Sequence, residues 1–78
     1  MKDIVYVLST STEEGVLRPK VFDSEEKAQE ELETLYYDCM RHSIYPIENS
    51  TLDEERHYFN IEYKDRHLYA YIYKVEVK

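Results

Sequence analysis

Few side chains in this sequence could carry out chemistry, and the most suggestive are one cysteine and three histidines. Cys39 and His42 are three residues apart, which places both on one face of a helix, and His57 and His67 follow later. Thiolate and imidazole are common zinc ligands, so a tetrahedral site is one interpretation. However, Cys39 belongs to a helical row of apolar residues, which indicates a core position. The sequence therefore predicts no metal site and no cofactor.

Groups for covalent catalysis are equally scarce. A nucleophilic mechanism needs a serine or cysteine beside a base, together with a turn or helix end that binds an oxyanion. The only glycine, Gly15, has no phosphate-loop context. A chain of 78 residues also has little room for a deep pocket. We therefore expect a protein that is not an enzyme and has no catalytic residue.

Length and charge exclude further classes of protein. The chain is expected to form one domain over residues 1–78, and its 17 acidic and 10 basic side chains give a net charge of −7. This sign opposes direct binding to nucleic acid or to an anionic membrane. No apolar run approaches the ~18 residues of a membrane span. A single cysteine is typical of a reducing compartment, so we expect a cytoplasmic protein.

Acidic side chains are concentrated in residues 23–55, which hold 11 acidic and 2 basic residues. Several of them recur at helical spacing on one stripe, where like charges cost a few tenths of a kcal/mol per pair. The stripe is explained either by solubility or by a cationic partner. In the second interpretation the carboxylates imitate a row of phosphates. The candidate partner-binding residues are Glu26, Glu30, Glu33, Tyr37, Asp53, Glu54 and Glu55.

The chain also has nine tyrosines, and five of them lie within residues 56–77. Tyrosine favours strands and pairs well across them, so a structural ladder is one explanation. If the purely apolar side chains face a helix, four tyrosines line the other side of the sheet. A flat aromatic patch of this kind has the composition of a protein-binding surface or a dimer seam. The residues of this alternative interface are Tyr58, Tyr69, Tyr71 and Tyr73.

The first half of the chain predicts two strands and a helix. The strands cover Ile4–Leu8, apolar at every position and so expected inside the sheet, and Val16–Phe22. Pro19 cannot donate a ladder hydrogen bond, so the second strand is expected at an edge or with a break. The helix is predicted to be capped by Asp23 and to end near Ser43. Its apolar row consists of Ala28, Leu32, Leu35, Tyr36, Cys39 and Met40.

The second half predicts strands over residues 56–63 and 67–77, with residues 44–55 as a connector. If the loop between these strands is even-numbered, Phe59 pairs with Ile72 and the apolar side chains share one face. An odd-numbered loop would expose them, so the even loop is favoured. The apolar face then consists of Phe59, Ile61, Leu68, Ala70 and Ile72.

A bulge near Tyr73 would then be needed to turn Val75 and Val77 toward the same apolar face. The predicted architecture is a two-layer α+β domain of ββαββ order. Its four-stranded, mostly antiparallel sheet carries one amphipathic helix on one face.

Three segments, Val5–Leu8, Val21–Ala28 (VFDSEEKA) and Tyr73–Val77, resemble parts of small ββαββ-type domains found in bacteria and their phages. In those domains a strand pair leads into a similar helix start, and the chain ends on a strand. The resemblance implies a fold and no activity. In size and charge alone, the chain is also similar to phage-encoded inhibitors, including anti-CRISPR proteins.

Two hypotheses from different classes follow. In the first, the chain is a phage-encoded inhibitor in the host cytoplasm. Its acidic residues would block the basic nucleic-acid-binding site of a host defence protein, such as a nuclease complex of the CRISPR type. In the second, it is a small structural or dimerisation module that acts through the tyrosines, as a homodimer. A dimer that is insensitive to salt favours the second hypothesis.

Overall fold

The computed structural model describes residues 3–44 and 46–77, which form one helix packed on one face of a sheet. The elements are β1 (Asp3–Thr12), β2 (Gly15–Val16), β3 (Lys20–Phe22), α1 (Glu25–Arg41), β4 (Ile47–Asp53), β5 (Tyr58–Tyr63) and β6 (Arg66–Val77). The strands are ordered β2–β1–β6–β5–β4, and β3 also pairs with β1. Every pairing among these strands is antiparallel. The α+β class predicted from the sequence is confirmed.

Strands β1 and β6 form the centre of the sheet. Ten consecutive residue pairs join them, from Asp3 with Val77 to Thr12 with Leu68. Both strands are rich in β-branched and aromatic residues, which suit a pleated, half-buried surface. The middle of β1 is buried on both faces, as Leu8 points toward α1 and Val7 points away from it. The position of the first strand inside the sheet is therefore as predicted.

The helix begins one residue after its cap, and the cap differs from the one predicted. Ser24 is the N-cap, because its hydroxyl accepts a hydrogen bond from the backbone N–H of Lys27 at 3.2 Å. Asp23 instead pairs with the Lys27 side chain, whose Nζ lies 3.0 Å from Asp23 Oδ1. This hydrogen bond and charge hold the pKa of Asp23 below its ordinary value. At the other end, the His42 N–H bonds the Asp38 carbonyl.

The hydrophobic core lies between α1 and the sheet. Ala28 and Leu32 are fully buried, and Tyr36 packs its ring 5.5 Å from that of Phe59. The predicted apolar row of the helix therefore faces the sheet, although Met40 at its edge stays 36% exposed. The buried cluster consists of Leu8, Leu32, Phe59, Ile61 and Ala70.

The described residues form six strands, whereas the sequence predicts four. Pro19 divides the second predicted strand into β2 and β3, which pair with different parts of β1. The break expected at Pro19 is thus confirmed. The predicted connector was wrong in part, because residues 47–53 form the edge strand β4 and pair with β5. Only Ile47 and Leu52 are apolar in β4, so its own sequence gives a weak strand signal.

The hairpin between β5 and β6 has an even-numbered loop, as predicted, but a shorter one. Lys64 and Asp65 form the turn, and Asp65 adopts a positive φ of 64°. Ile61 pairs with Leu68 rather than with Ala70, so the register differs from the prediction by two residues. Because side chains alternate with a period of two, the side chains of the hairpin as far as Tyr73 keep their predicted faces.

The bulge predicted near Tyr73 is wrong. The pairing between the described residues of β1 and β6 runs through Tyr73 and Lys74 without a register shift. Val75 and Val77 therefore lie on the same face as Tyr73, away from α1.

Replacing Leu32 by aspartate should unfold the domain. The side chain is fully buried, and an unpaired buried charge costs several kcal/mol, comparable to the ~5 kcal/mol that stabilises many small domains. Circular dichroism should show loss of helix and of a cooperative melt. Thr34→Asp, which places the same charge on an exposed turn of α1, is the control and should melt like the parent. A Leu32→Asp protein that melts like the parent would contradict the helix register.

Candidate functional site

The four side chains considered as metal ligands are divided between two parts of the molecule. Cys39, His42 and His67 line a cavity at the C-terminal end of α1. His57 lies near the beginning of α1, where its ring contacts Glu25. Within residues 3–44 and 46–77, no group of three or more Cys, His, Asp or Glu side chains is placed to hold a metal ion.

The cavity has a volume of about 520 Å³ and is bounded by the end of α1, the β1–β2 turn and the β5–β6 hairpin. Glu13 links the turn to the hairpin, because its carboxylate accepts from the His67 backbone N–H at 3.3 Å and lies 3.8 Å from Arg66. Backbone N–H groups of Glu13 and His67 hold the pKa of this carboxyl below its ordinary value. Glu13 thus extends the β1–β6 ladder by one step with its side chain.

Among the described residues of the cavity wall, neither the Cys39 thiol nor the Tyr63 hydroxyl is activated as a nucleophile. Burial raises the pKa of the Cys39 thiol, and the charge of Asp38 raises it further. Burial also raises the pKa of Tyr63, with an added contribution from Cys39 and an opposing hydrogen bond to Ser43. A thiol held in its protonated form is a poor nucleophile and a poor metal ligand.

The acidic stripe, defined as Glu26, Glu30, Glu33 and Tyr37, lies on the side of α1 opposite the buried row. Glu26 and Glu30 are exposed, Glu33 is half-buried, and Tyr37 is 52% exposed. The Tyr37 ring stands edge-on to that of Tyr36, with centroids 5.3 Å apart. The structure therefore places the four residues on one continuous outward surface.

The charged residues of α1 differ in whether they have partners. Lys20 Nζ lies 2.8 Å from Glu31 Oε1, which joins β3 to the helix. In the part of the chain that the structure describes, the three glutamates of the acidic stripe form neither an ion pair nor a hydrogen bond. Pairing thus separates the glutamates that fasten the helix from those that face solvent.

The second acidic segment is the turn between β4 and β5. Asp53 is committed to the turn itself, because its Oδ1 accepts from the backbone N–H groups of Glu55 at 3.1 Å and Arg56 at 2.9 Å. The side chains of Glu54 and Glu55 are exposed to solvent. Among the described contacts, the Asp53 carboxylate is therefore used within the turn, whereas the carboxylates of Glu54 and Glu55 are not.

His57 holds this turn against the helix. Its backbone has a positive φ of 57°, and its carbonyl accepts from the Ile72 N–H at 2.9 Å. Its ring nitrogens lie 3.3 Å from Glu25 Oε1 and 2.7 Å from Gln29 Oε1. The two acidic segments, far apart in sequence, therefore meet at the N-terminal half of α1.

The second candidate surface is the side of the sheet away from α1. Tyr58, Tyr69, Tyr71 and Tyr73 stand there side by side, as the even loop predicts. Adjacent ring centroids are 5.9, 5.5 and 5.7 Å apart, and the rings are tilted by 34–42°. These distances are typical of favourable aromatic pairs.

Five valines, which the sequence interpretation did not include, extend this aromatic row. They lie on the same side because Val7 pairs with Tyr73 and with Val21, and Val5 pairs with Val75. An unbroken alternation from residue 69 to residue 77 was the available signal, but the predicted bulge obscured it. We define the tyrosine face as Tyr58, Tyr69, Tyr71, Tyr73, Val5, Val7, Val21, Val75 and Val77.

Comparisons of the chain with protein-family models, with curated proteins and with solved structures find no match. The structure also contains, in its described ranges, no helix that is both long and apolar enough to cross a membrane. The acidic stripe and the tyrosine face are therefore the features that bear on the function.

Cys39 should react slowly with a thiol reagent in the native protein. Its raised pKa lowers the thiolate fraction, and burial limits access, so at about pH 8 modification should be about tenfold slower than in denaturant. Because the folded pKa is raised, this group favours folding below the ordinary pKa of 9.0 and loses that contribution as pH rises through the folded value. The unfolded chain is the control, and rapid native modification would contradict the assignment.

Proposed function

We propose that the chain is a non-enzymatic protein-binding inhibitor whose acidic stripe occupies the basic nucleic-acid-binding site of a host protein. The likeness in size and charge to phage-encoded anti-CRISPR inhibitors favours a host defence nuclease complex as the class of target. In that setting the chain acts in the host cytoplasm and binds no nucleic acid itself.

The observation that carries the proposal is that the carboxylates of the acidic stripe are unpaired among the described residues. Two lysines on or beside the N-terminal half of the helix are engaged by other carboxylates, Lys20 by Glu31 and Lys27 by Asp23. Like charges at this spacing oppose helix formation slightly. A basic partner would relieve that repulsion and supply the missing counter-charges.

The spacing of the stripe suits a site built for a phosphate backbone. At 1.5 Å of rise per residue, Glu26 to Glu33 covers about 10 Å along the helix, or one carboxylate per ~5 Å. A strand of duplex DNA carries one phosphate per ~3.4 Å of helix axis. The two charge densities are similar enough for lysine and arginine side chains, which are long and mobile, to engage either one.

Other features of the chain would enlarge the interface with a basic partner and raise the rate of association. Tyr37 is a half-exposed aromatic side chain at the end of the stripe, of the kind that anchors interfaces. Glu54 and Glu55 would extend the charged surface at the other end. The net charge of −7 would steer the chain toward a basic partner, with association that slows as salt increases.

The test compares two variants with the same change in net charge. In one, Glu26, Glu30 and Glu33 are replaced by glutamine; in the other, the exposed Glu14, Glu48 and Glu62 are replaced. Each protein is immobilised and incubated with a bacterial lysate, and bound proteins are eluted with duplex DNA. We expect the parent and the control to retain the same DNA-displaceable protein, and the stripe variant to lose it.

The expected loss is large because each charge-assisted contact contributes about 1.5–3 kcal/mol when desolvated. Removing three such contacts should weaken binding at least about 100-fold. Folding should be unchanged, since glutamine is also a good helix former. If both variants bind equally well at low salt, the stripe is a solvated face and the proposal is wrong.

A further inference from the structure

We propose that the tyrosine face is a dimer seam and that its occupant is a second copy of this chain. Two sheets would pack face to face, with both α1 helices on the outside. This surface lies on the opposite side of the sheet from the acidic stripe. The inference therefore goes beyond the proposed function and can fail or succeed independently of it.

The fold leaves the tyrosine face uncovered. The seventeen residues of α1 cover about 25 Å of a molecule 47 Å long, and they cover one side of the sheet only. On the other side, Tyr71 is 37%, Tyr73 43% and Val77 45% exposed. A contiguous row of aromatic and β-branched side chains in contact with water is unusual for a monomer and marks an interaction surface.

The solvent-accessible surface of the chain is larger than that of a compact monomer of its mass. A compact monomer of 9.5 kDa exposes roughly 5,000 Å², whereas this chain exposes 5815 Å². The excess is roughly 800 Å², which is close to the area that each partner buries in a standard protein–protein interface. The two larger dimensions of the molecule, 47 and 22 Å, give a face large enough to bury that area.

The distribution of charge on this side of the sheet favours a second copy of the chain over a different partner. In a twofold interface the same patch meets itself, so a charge near its centre would oppose a like charge. The tyrosine face contains no charged residue. The carboxylates on that side of the sheet lie at its periphery, with Asp3 at one end and Glu62 at the other. Asp53, which pairs with Tyr58, lies on the edge strand β4, where its carboxylate accepts hydrogen bonds from the backbone of its own turn.

The strands differ in length at the end of the sheet where β1 begins and β6 ends. Pairing of β6 with β5 stops at Tyr71 and Tyr58, and pairing of β1 with β3 stops at Tyr6. Beyond Tyr6 the described strands β1 and β6 continue as a two-stranded ribbon. Such a ribbon is marginally stable alone in water. Packing the ribbon's valines against a second sheet would bury them and stabilise the ribbon.

The test is sedimentation equilibrium of the full chain and two matched variants. Tyr71→Lys places a positive charge at the centre of the tyrosine face, whereas Tyr37→Lys places the same charge on the outside of α1. We expect the parent to be a dimer, with twice the 9.5 kDa mass of one chain. Its dissociation constant should change little between low salt and about 0.5 M salt, because the seam is uncharged.

Tyr71→Lys should raise the dissociation constant at least about 100-fold, since it buries an unpaired charge in the seam, and Tyr37→Lys should leave it unchanged. Circular dichroism checks that both variants fold. If Tyr71→Lys does not fold, Tyr73→Ser, at a 43% exposed position, takes its place and should also weaken the dimer. A parent that stays monomeric at all concentrations, or a dimer that only salt or Tyr37→Lys disrupts, would overturn the proposal.

Discussion

The pairing of β1 with β6 is the interaction on which the rest of the structure depends. It joins the two ends of the chain through ten residue pairs, with nearly the whole sequence in between. Closing so long a loop is costly in entropy, so this contact must be supported by the core that forms around it. β2 and β3 pair with the other side of β1, β5 pairs with β6, β4 pairs with β5, and α1 packs across the centre. Each remaining element is positioned relative to this central pair.

A sheet with a single helix has two sides of different character, and the side chains follow that division. Between α1 and the sheet lie the fully buried Leu32 of the helix and Phe59 of β5, and on the outside of α1 lies the acidic stripe. Polar side chains near the sheet join elements to one another, as His57 joins the β4–β5 turn to Glu25. The far side of the sheet has tyrosine and valine at its centre and carboxylates at its ends and on its edge strand β4. The acidic stripe and the tyrosine face are thus separated by the thickness of the sheet.

The sequence was sufficient for features that depend on periodicity. The spacing of the apolar residues located α1, and the parity of the β5–β6 loop placed the side chains of the hairpin as far as Tyr73 on their correct faces. The register could not be predicted, because Lys64-Asp65 is a tight turn without the glycine that usually signals one. β4 was missed because its strand form depends on β5 and little on its own residues. Glu25 pairs with His57, and Glu31 pairs with Lys20, whereas the glutamates of the acidic stripe have no such partners among the described residues. This difference depends on the three-dimensional structure and could not be read from the sequence.

The two proposed surfaces are compatible because of this geometry. The smallest dimension of one chain is 18 Å, so in a face-to-face dimer the two acidic stripes would lie on opposite outer sides, roughly 35 Å apart. That distance is several times the ~8 Å screening length at physiological salt, so repulsion between the two stripes would oppose the dimer only weakly. The stripes would also face in opposite directions, and a single basic groove could not engage both. A dimer would therefore bind two target molecules, and it would gain avidity only where the target is itself an oligomer with sites at matching distance.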